Sequence, residues 1–274
     1  MRKLSELIVL VRGGGEVGSA IAHRLHRSHF RVCITEIASP LAIHRGSSFS
    51  EAVYDTNKTV EEVTAERTLP SLEQIYRVWR AGNIPVVVDP EIIVKPLLKP
   101  DVLINAMMLR RETNTKLNDA PLVIGIGPGF AAGGDVHLVV ESNTSRNLGK
   151  VLVEGTAENV AEKPEGIDSI SGEKVIYAED NGVFTTEKNI GDAVLADDLI
   201  GKLNDVPIKA PISGILRGLL RNEVKVLSNA RLIEIDPKND RSVCFAIGDN
   251  MRAIAGRVLE AIMMSLNTAE DNSP

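Results

Sequence analysis

A glycine-rich turn between an apolar strand and a helix is the feature that most constrains how this chain folds. Residues 7–11 form a short β-branched run of the kind found in strands buried on both faces of a sheet. Residues 13–18, with the sequence GGGEVG, follow closely and match the spacing G-x-G-x-x-G. Residues 16–28 then carry apolar or small side chains at helical spacing. With a second strand at residues 30–36, this order predicts a βαβ unit and therefore a parallel sheet.

Five residues of this unit are candidates for cofactor binding. Gly13, Gly15 and Gly18 occupy positions at which glycine lets the backbone turn tightly and approach a pyrophosphate, and Gly14 lies between the first two. The helix that follows would offer its N-terminal amides to the phosphate. Glu36 ends the second predicted strand, where a carboxylate can bind a ribose diol. The alternative is that the glycines only close the turn between strand and helix.

A second glycine loop follows another predicted strand, at residues 122–125. It contains Gly125, Gly127 and Gly129. Because the carboxyl ends of neighbouring parallel strands meet at one edge of a sheet, we expect both loops to face the same crevice. These three glycines are therefore further candidates for cofactor binding.

Asp135 and His137 are the candidates for a catalytic role. They are an acid and an imidazole close together beside a glycine loop, and such a pair can transfer a proton or orient a ligand. The alternative is that Asp135 caps the following turn and His137 lies on the surface of a strand. Metal-ligand spacings such as C-x-x-C and H-E-x-x-H do not occur in the sequence, so no metal site is predicted.

The chain changes character along its length. Strands are also expected at residues 85–88 and 101–105, whereas residues 38–67 form a long insertion in which the alternation of strand and helix lapses. After about residue 165, short apolar segments alternate with glycine, proline and aspartate turns, as in an all-β unit. A shift of 32 residues superposes Ile176 on Ile208 and Gly182 on Gly214, which predicts two similar halves packed as a pseudo-twofold sandwich.

These patterns predict an α/β fold in three parts. Residues 1–164 are expected to form a Rossmann-like nucleotide-binding domain with a parallel sheet, and residues 165–240 a small all-β barrel-sandwich hybrid domain. Residues 241–274 are expected to form a C-terminal helix that docks on the first domain. Residues 208–214 are similar to parts of biotinyl and lipoyl carrier domains. The hairpin at residues 204–207 lacks the lysine that those carriers modify, so no prosthetic group is expected.

Composition excludes two classes of partner. The 274 residues include 31 lysines and arginines against 37 acidic residues, and the formal charge of -6 gives no field that attracts nucleic acid or an anionic membrane. The two cysteines lie in separate apolar runs, as reduced core thiols do in cytosolic proteins. The sequence therefore predicts a cytoplasmic protein that binds neither nucleic acid nor membrane.

Six segments spread over nearly the whole chain carry a family resemblance. They are residues 11–15 (VRGGG), 22–28 (AHRLHRS), 40–43 (PLAI), 48–54 (SFSEAVY), 125–130 (GIGPGF) and 208–214 (IKAPISG). Together they resemble the accessory (maturation) proteins of selenium-dependent molybdenum hydroxylases, distant relatives of the xanthine dehydrogenase accessory protein. The chain departs from that family's pattern at Asn105, where an acidic residue is commoner.

The resemblance implies a cytoplasmic maturation factor. Its small phosphorylated ligand would be a nucleotide or a molybdopterin dinucleotide, and its protein partner would be the molybdenum hydroxylase apoenzyme. Two other functions are compatible with the residues. An NAD-dependent oxidoreductase would bind NAD at the same loop and would need Asp135 or His137 for proton transfer. A non-catalytic scaffold would use the glycines structurally and bind only protein, so the sequence leaves open whether the chain is an enzyme.

Overall fold

The structure is a computed structural model that describes residues 3–109, 114–158 and 174–271. The chain divides into two compact units. The first comprises Met1–Ala38, Phe49–Val160 and Ile247–Pro274, and the second comprises Ser39–Ser48 and Ala161–Ala246. The predicted domain boundary at residues 164 and 165 lies outside the described residues.

A nine-stranded sheet forms the centre of the first unit. In space its strands follow the order β10-β9-β7-β6-β1-β2-β5-β4-β3, and β8 pairs with β11 apart from it. The strands are β1 (Ile8–Arg12), β2 (Arg31–Glu36), β3 (Asn57–Val60), β4 (Val63–Thr68), β5 (Ile84–Val88), β6 (Val102–Asn105), β7 (Leu122–Ile126), β8 (Ala131–Ala132), β9 (Leu138–Val140), β10 (Val151–Leu152) and β11 (Gly155–Thr156). The helices are α1 (Glu16–Arg27), α2 (Ala52–Asp55), α3 (Leu72–Arg80), α4 (Lys95–Leu98) and α5 (Asp249–Asp271).

The central strands of this sheet are parallel and apolar. Every residue of β1 and of β7 is buried. Leu10 of β1 lies opposite Cys33 of β2 on one side and Leu103 of β6 on the other, both in parallel register. Burial on both faces accounts for the uninterrupted apolar runs from which these strands are predicted. The strands predicted at residues 7–11, 30–36, 85–88, 101–105 and 122–125 correspond to β1, β2, β5, β6 and β7.

The predicted fold class, a Rossmann-like parallel-sheet domain followed by a barrel-sandwich hybrid and a C-terminal helix, is wrong. The large sheet is mixed, because β3 runs antiparallel to β4 at one edge and β10 runs antiparallel to β9 at the other. The described residues between β6 and β7 contain a single 3₁₀ turn, Leu117–Asp119, and those between β7 and β9 contain only β8. The alternation of strand and helix that the prediction needs is therefore missing there. The observed architecture is a large mixed sheet, smaller antiparallel sheets and a C-terminal helix.

Two strands that the sequence does not predict, β3 and β4, form a hairpin inside the predicted insertion. Only Val60 is buried in β3, because this strand lies at the edge of the sheet. The hydroxyl groups of Thr59 and Thr64 lie 2.9 Å apart across the hairpin. A solvated edge strand carries no continuous apolar run, so the pattern from which strands are predicted is absent.

The C-terminal helix α5 packs against α1 within the first unit. Ile21 and Leu25 of α1 are buried in the same apolar core as Ile254, Val258 and Ile262 of α5. The three α5 residues recur every four positions, which places them on one face of the helix. Each fully buried Leu or Ile side chain contributes about 1.5–3 kcal/mol. This apolar face holds α5 against α1.

The second unit consists of two four-stranded antiparallel sheets, β12-β19-β17-β14 and β16-β15-β13-β18. Each strand of the first half has a counterpart 32 residues later, as the spacing from Lys174 to Val206 illustrates. Each strand and its counterpart lie in different sheets. The offset equals the 32-residue shift found in the sequence. The strands are β12 (Lys174–Tyr177), β13 (Gly182–Thr185), β14 (Ala193–Val194), β15 (Leu199–Leu203), β16 (Val206–Lys209), β17 (Gly214–Leu219), β18 (Val224–Val226) and β19 (Arg231–Asp236).

Residues 39–48, from the predicted insertion, belong to the second unit and lie along β17. The Leu219 amide donates a hydrogen bond of 2.8 Å to the carbonyl of Ile43, and Nε of Arg45 donates one of 2.6 Å to the carbonyl of Leu219. A Cβ atom at Gly218 would come within 2.8 Å of the Ile43 side chain. Glycine at position 218 therefore lets the segment approach the strand closely.

Candidate ligand site at the carboxyl ends of β1, β6 and β7

Three neighbouring parallel strands end at the same edge of the large sheet. β6 lies between β1 and β7 and pairs in parallel with both. The segments that follow these strands are the first glycine loop, residues 106–109 and the second glycine loop. All three therefore begin at one edge, where ligands of open α/β sheets bind.

The first glycine loop is closely packed against its own helix and the segment after β6. Gly13 has a φ of +93° and lies so close to Ala106 that a Cβ would meet its carbonyl oxygen at 3.1 Å. A Cβ at Gly18 would lie 1.9 Å from the Gly13 carbonyl oxygen, a distance that no side chain can occupy. Glycine at positions 13 and 18 is therefore required by the packing of the loop, whether or not a ligand is bound.

Gly15 differs from its neighbours because it faces open space. No atom lies within 4 Å of the position that its Cβ would occupy. Gly15 is the N-cap residue of α1, a helix of 12 residues, and its carbonyl accepts a hydrogen bond of 2.8 Å from the Ser19 amide. The amino end of a helix carries partial positive charge and favours an anion. The amino end of α1 is therefore open at Gly15.

Glu36 lies under this loop at the end of β2. Its Oε1 accepts a hydrogen bond of 2.6 Å from the Gly14 amide, and its Oε2 accepts one of 2.8 Å from the Ile37 amide. Burial raises the pKa of Glu36, and the hydrogen bonds from Gly14 and Ile37 oppose that rise. The sequence prediction that Glu36 binds a ribose diol stays a prediction. In the structure its carboxylate bonds to the loop backbone.

A buried arginine adjoins the loop. Arg12, the last residue of β1, is 3% exposed, and its Nη1 donates hydrogen bonds to Oδ1 of Asn114 at 3.2 Å and to Oγ1 of Thr115 at 2.9 Å. Nδ2 of Asn105 donates to the same Thr115 oxygen at 2.8 Å. Burial lowers the pKa of Arg12, while nearby carboxylates, Asp119 first, raise it. Arginine keeps its charge in proteins, so a buried cation lies beside Asn114 and Thr115.

The second glycine loop begins at the same edge on the far side of the segment after β6. Gly127 has a φ of +74°, and a Cβ there would lie 2.3 Å from Oγ of Ser142. It would also lie 3.6 Å from Cε of Met108, whereas a Cβ at Gly13 would lie 3.1 Å from Cα of Met107. The two loops therefore flank residues 107 and 108. Gly125 packs under Phe130, because a Cβ at Gly125 would lie 2.4 Å from that ring.

A cavity of about 850 Å³ opens beside the second loop. Gly129 and Asp135 line it from the loop side, and Thr115 and Lys116 line it from the segment after β6. Its volume lies in the range of pockets that hold small molecules. Thr115 therefore both lines the cavity and accepts a hydrogen bond from the buried Arg12 guanidinium.

Asp135 and His137 make local hydrogen bonds to different backbone segments. Oδ2 of Asp135 accepts a bond of 2.9 Å from the Ala131 amide, which closes the turn after β8. Nδ1 of His137 accepts one of 3.0 Å from the Val123 amide, near the start of β7 and away from its carboxyl end. Asp135 therefore borders the cavity, whereas His137 lies toward the other end of the strand. The catalytic role predicted for them stays a prediction.

Sequence reasoning did not identify Asn114 and Thr115 as site residues. They lie in a segment without periodicity, and their contacts reach Arg12 across about a hundred positions of the chain. Within residues 3–109, 114–158 and 174–271, no group of three His, Cys, Asp or Glu side chains is placed to hold a metal ion. None of the helices in the described part of the chain is both long and apolar enough to span a bilayer.

Comparison with known proteins finds one relative of substantial identity. The chain is 35% identical over 260 residues to the uncharacterized protein YqeB of Escherichia coli K12, and the match covers 95% of this chain. The chain spans about half the length of this curated relative, since the match covers 48% of YqeB. No family model matches the chain.

Solved structures give only distant similarities. The ectoine utilization protein EutE (DoeB) of Ruegeria pomeroyi is 11% identical with a TM-score of 0.25, over 84% of this chain and 85% of its own. An aspartoacylase family protein of Mesorhizobium loti is 13% identical with a TM-score of 0.24, over 84% and 86%. A succinylglutamate desuccinylase of Silicibacter is 12% identical with a TM-score of 0.23, over 84% and 85%. At these TM-scores the similarity supports no conclusion about fold or activity.

Proposed function

We propose that this chain binds the phosphate group of a nucleotide, or of a dinucleotide-type molybdenum cofactor, at Gly15 and the amino end of α1. We further propose that it acts in the cytoplasm as an accessory factor that matures a selenium-dependent molybdenum hydroxylase. The first statement rests on the geometry of the loop. The second rests on the resemblance of residues 11–15, 48–54 and 125–130 to that class of maturation protein.

One observation carries the binding proposal: Gly15 faces open space at the amino end of α1, next to the strand that ends in the buried Arg12. Helix amides and guanidinium groups are both common phosphate-binding groups in proteins. Arginine presents five N–H donors, and among the described residues the hydrogen bonds of Arg12 to Asn114 and Thr115 use one of its nitrogens, Nη1. The amino end of α1 therefore has donors for a phosphate, and the Arg12 guanidinium is hydrogen-bonded to Thr115, which lines the adjoining cavity.

The residues of this edge also fit the remainder of an extended ligand. A dinucleotide needs an anion-binding loop and adjoining space for its ring systems. The cavity beside Gly129 provides space bordered by Lys116 and Thr115. In a maturation factor the molybdenum cofactor would be cargo that the chain holds for the hydroxylase apoenzyme. The second unit would then present a surface to that apoenzyme.

A thermal-shift screen tests the ligand class. The protein is heated with NAD, NADP, ATP, CTP or a molybdopterin dinucleotide, each at about 100 times its expected dissociation constant. A ligand at that concentration stabilises the native state by about 2.7 kcal/mol, which raises the melting temperature by several degrees. We expect the largest shift with the molybdopterin dinucleotide. A shift with NAD alone would instead indicate an oxidoreductase, and no shift with any compound would indicate a scaffold.

A further inference from the structure

A second cavity, of about 760 Å³, lies in the first unit. It is found at the amino ends of the parallel strands, whereas the glycine loops lie at their carboxyl ends. It is bordered by the end of α1, by α3 and by the amino ends of β2 and β4. β2 runs from Arg31 at this cavity to Glu36 under the glycine loop. Five residue steps along a strand cover about 17 Å. The cavity is therefore separate from the site proposed above.

Basic side chains dominate the lining of this cavity. Its acidic and basic side chains are a single carboxylate, that of Glu62, and five basic groups: His26, Arg27, His29, Arg31 and Arg80. Glu62 is paired with Arg27. Within the described part of the chain, no carboxylate lies within ion-pair distance of Arg31 or Arg80. The three arginines therefore bring positive charge to this cavity, in contrast with the formal charge of -6 on the whole chain.

Aromatic side chains form another part of the cavity wall. The rings of Tyr76 and Trp79 meet edge to face, with centroids 5.1 Å apart and planes at 81°. The indole N–H of Trp79 donates a hydrogen bond of 2.7 Å to the carbonyl of Val32, which fixes the ring. The guanidinium carbon of Arg31 lies 5.7 Å from the centroid of the Tyr76 ring, within the range of a cation–π contact. The aromatic part of the wall is held in place before any ligand binds.

Basic and aromatic groups that share one cavity select a ligand that is both anionic and planar. Guanidinium groups form paired hydrogen bonds with phosphate oxygens, and aromatic rings stack on nucleobases. An inorganic anion would use only the arginines, and an uncharged apolar compound would leave them unpaired. We propose that this cavity is a binding site for a nucleoside monophosphate, with the phosphate on Arg31 and Arg80 and the base against Tyr76 and Trp79.

Trp79 makes the proposal directly testable, because it is the only tryptophan of the chain. Adenosine 5′-monophosphate, titrated into the full chain, is expected to quench Trp79 fluorescence in a saturable manner. Ribose 5-phosphate carries the phosphate without the base and is expected to bind at least tenfold more weakly in competition. Absence of saturable quenching with the monophosphates of adenosine, guanosine, cytidine and uridine would overturn the proposal. Equal affinity for ribose 5-phosphate would also overturn it.

Variants assign the quenching to this cavity. The double variant R31Q/R80Q is expected to weaken the binding of adenosine 5′-monophosphate at least tenfold. The matched control R24Q removes an exposed arginine of α1 that does not line the cavity, and it is expected to leave the affinity unchanged.

The single variant R80Q removes an exposed side chain and keeps the contact between Arg31 and Tyr76, so it separates loss of binding from loss of folding. Unchanged affinity in R31Q/R80Q would overturn the proposal. The variant G15D changes only the glycine loop and is expected to leave the quenching intact.

Discussion

The amide of Gly14 donates a hydrogen bond of 2.6 Å to Oε1 of Glu36, which links the first glycine loop to the end of β2. The same carboxylate accepts a second backbone hydrogen bond from Ile37 at 2.8 Å. A carboxylate can serve two backbone donors in this way, whereas a glutamine side chain has only one oxygen. Glu36 therefore holds the loop through its ionised or neutral carboxyl group, independently of a ligand.

The pH dependence of stability tests this role of Glu36. Burial raises its pKa in the folded state above the ordinary value, and the amides of Gly14 and Ile37 only partly oppose this. A raised carboxyl pKa destabilises the folded state above that pKa, and the cost disappears as the pH falls below the ordinary value. We expect the free energy of unfolding of the wild type, relative to E36Q, to rise on acidification through this window. Urea denaturation at a series of pH values measures it, and parallel pH profiles of the two proteins would contradict it.

Glu234 of the second unit titrates in the opposite sense. It is 3% exposed, it accepts hydrogen bonds from Arg217 at 2.7 Å and Arg231 at 2.6 Å, and Nε2 of His44 lies 3.0 Å from its carboxylate. Burial alone would raise its pKa, but His44, Arg231 and Arg217 outweigh burial and lower it to about 2. This stabilisation is present above the ordinary carboxyl pKa of about 4.5 and is lost as the pH falls toward 2.

The variant E234Q tests that cluster. Removing one member of a buried ion cluster leaves the other charges uncompensated, which costs about 3–5 kcal/mol. We expect E234Q to lose stability by this order at neutral pH and to lose the acid-dependent part of the unfolding profile between pH 4.5 and 2. The control E187Q removes an exposed carboxylate and is expected to change stability by less than about 0.5 kcal/mol. Equal stability of E234Q and E187Q would be incompatible with a structural role for the cluster.

Two glycines on helices allow a matched test of packing in the first loop. A Cβ at Gly18 would lie 1.9 Å from the Gly13 carbonyl oxygen, whereas a Cβ at Gly256 of α5 would meet no atom within 4 Å. We expect G18A to destabilise the protein by about 1–3 kcal/mol or more, because the loop must shift. G256A is expected to stabilise it by up to about 1 kcal/mol through helix propensity. Chemical denaturation measures both, and a G18A variant as stable as the wild type would show that the loop geometry is wrong.

Arg12 is expected to contribute to phosphate affinity. The variant R12M removes the charge while keeping an apolar side chain of similar length in a buried position. A hydrogen bond to a charged group contributes about 1.5–3 kcal/mol, so the affinity for the phosphorylated ligand is expected to fall at least tenfold. The exposed Arg24 provides the control R24M, which should retain the wild-type dissociation constant. Calorimetric titration gives both values, and equal affinities would remove Arg12 from the site.

The local parts of the fold follow from the sequence, and the long-range parts do not. The turn at residues 13–18 is predicted because its strand, glycines and helix are contiguous, and the order of buried apolar runs predicts β1, β2, β5, β6 and β7. The strand spacing of 32 residues in the second unit is visible as a repeat. The edge strand β3 is not predicted because Asn57–Val60 is mostly polar, and without β3 and the short edge strand β10 the sheet is interpreted as parallel.

The site shows the same division. The positions of Gly13, Gly15, Gly18 and Glu36 follow from the motif, but the hydrogen bond between Gly14 and Glu36 does not. The contact between Arg12 and Thr115 joins residues 103 positions apart, and a single sequence contains no pattern that links them. Asp135 and His137 are two positions apart in the sequence, yet their side chains accept hydrogen bonds from different backbone segments, at Ala131 and Val123.

Calorimetric titration of a molybdopterin dinucleotide into the wild type, G15D and G256D tests whether the ligand binds at Gly15. Aspartate is a favoured N-cap residue and Gly15 faces open space, so G15D should fold normally while placing a negative charge where the phosphate binds. Gly256 also faces open space, so G256D introduces the same side chain elsewhere. We expect saturable binding to the wild type and to G256D with the same dissociation constant, and no binding to G15D. Binding to G15D with wild-type affinity would contradict it.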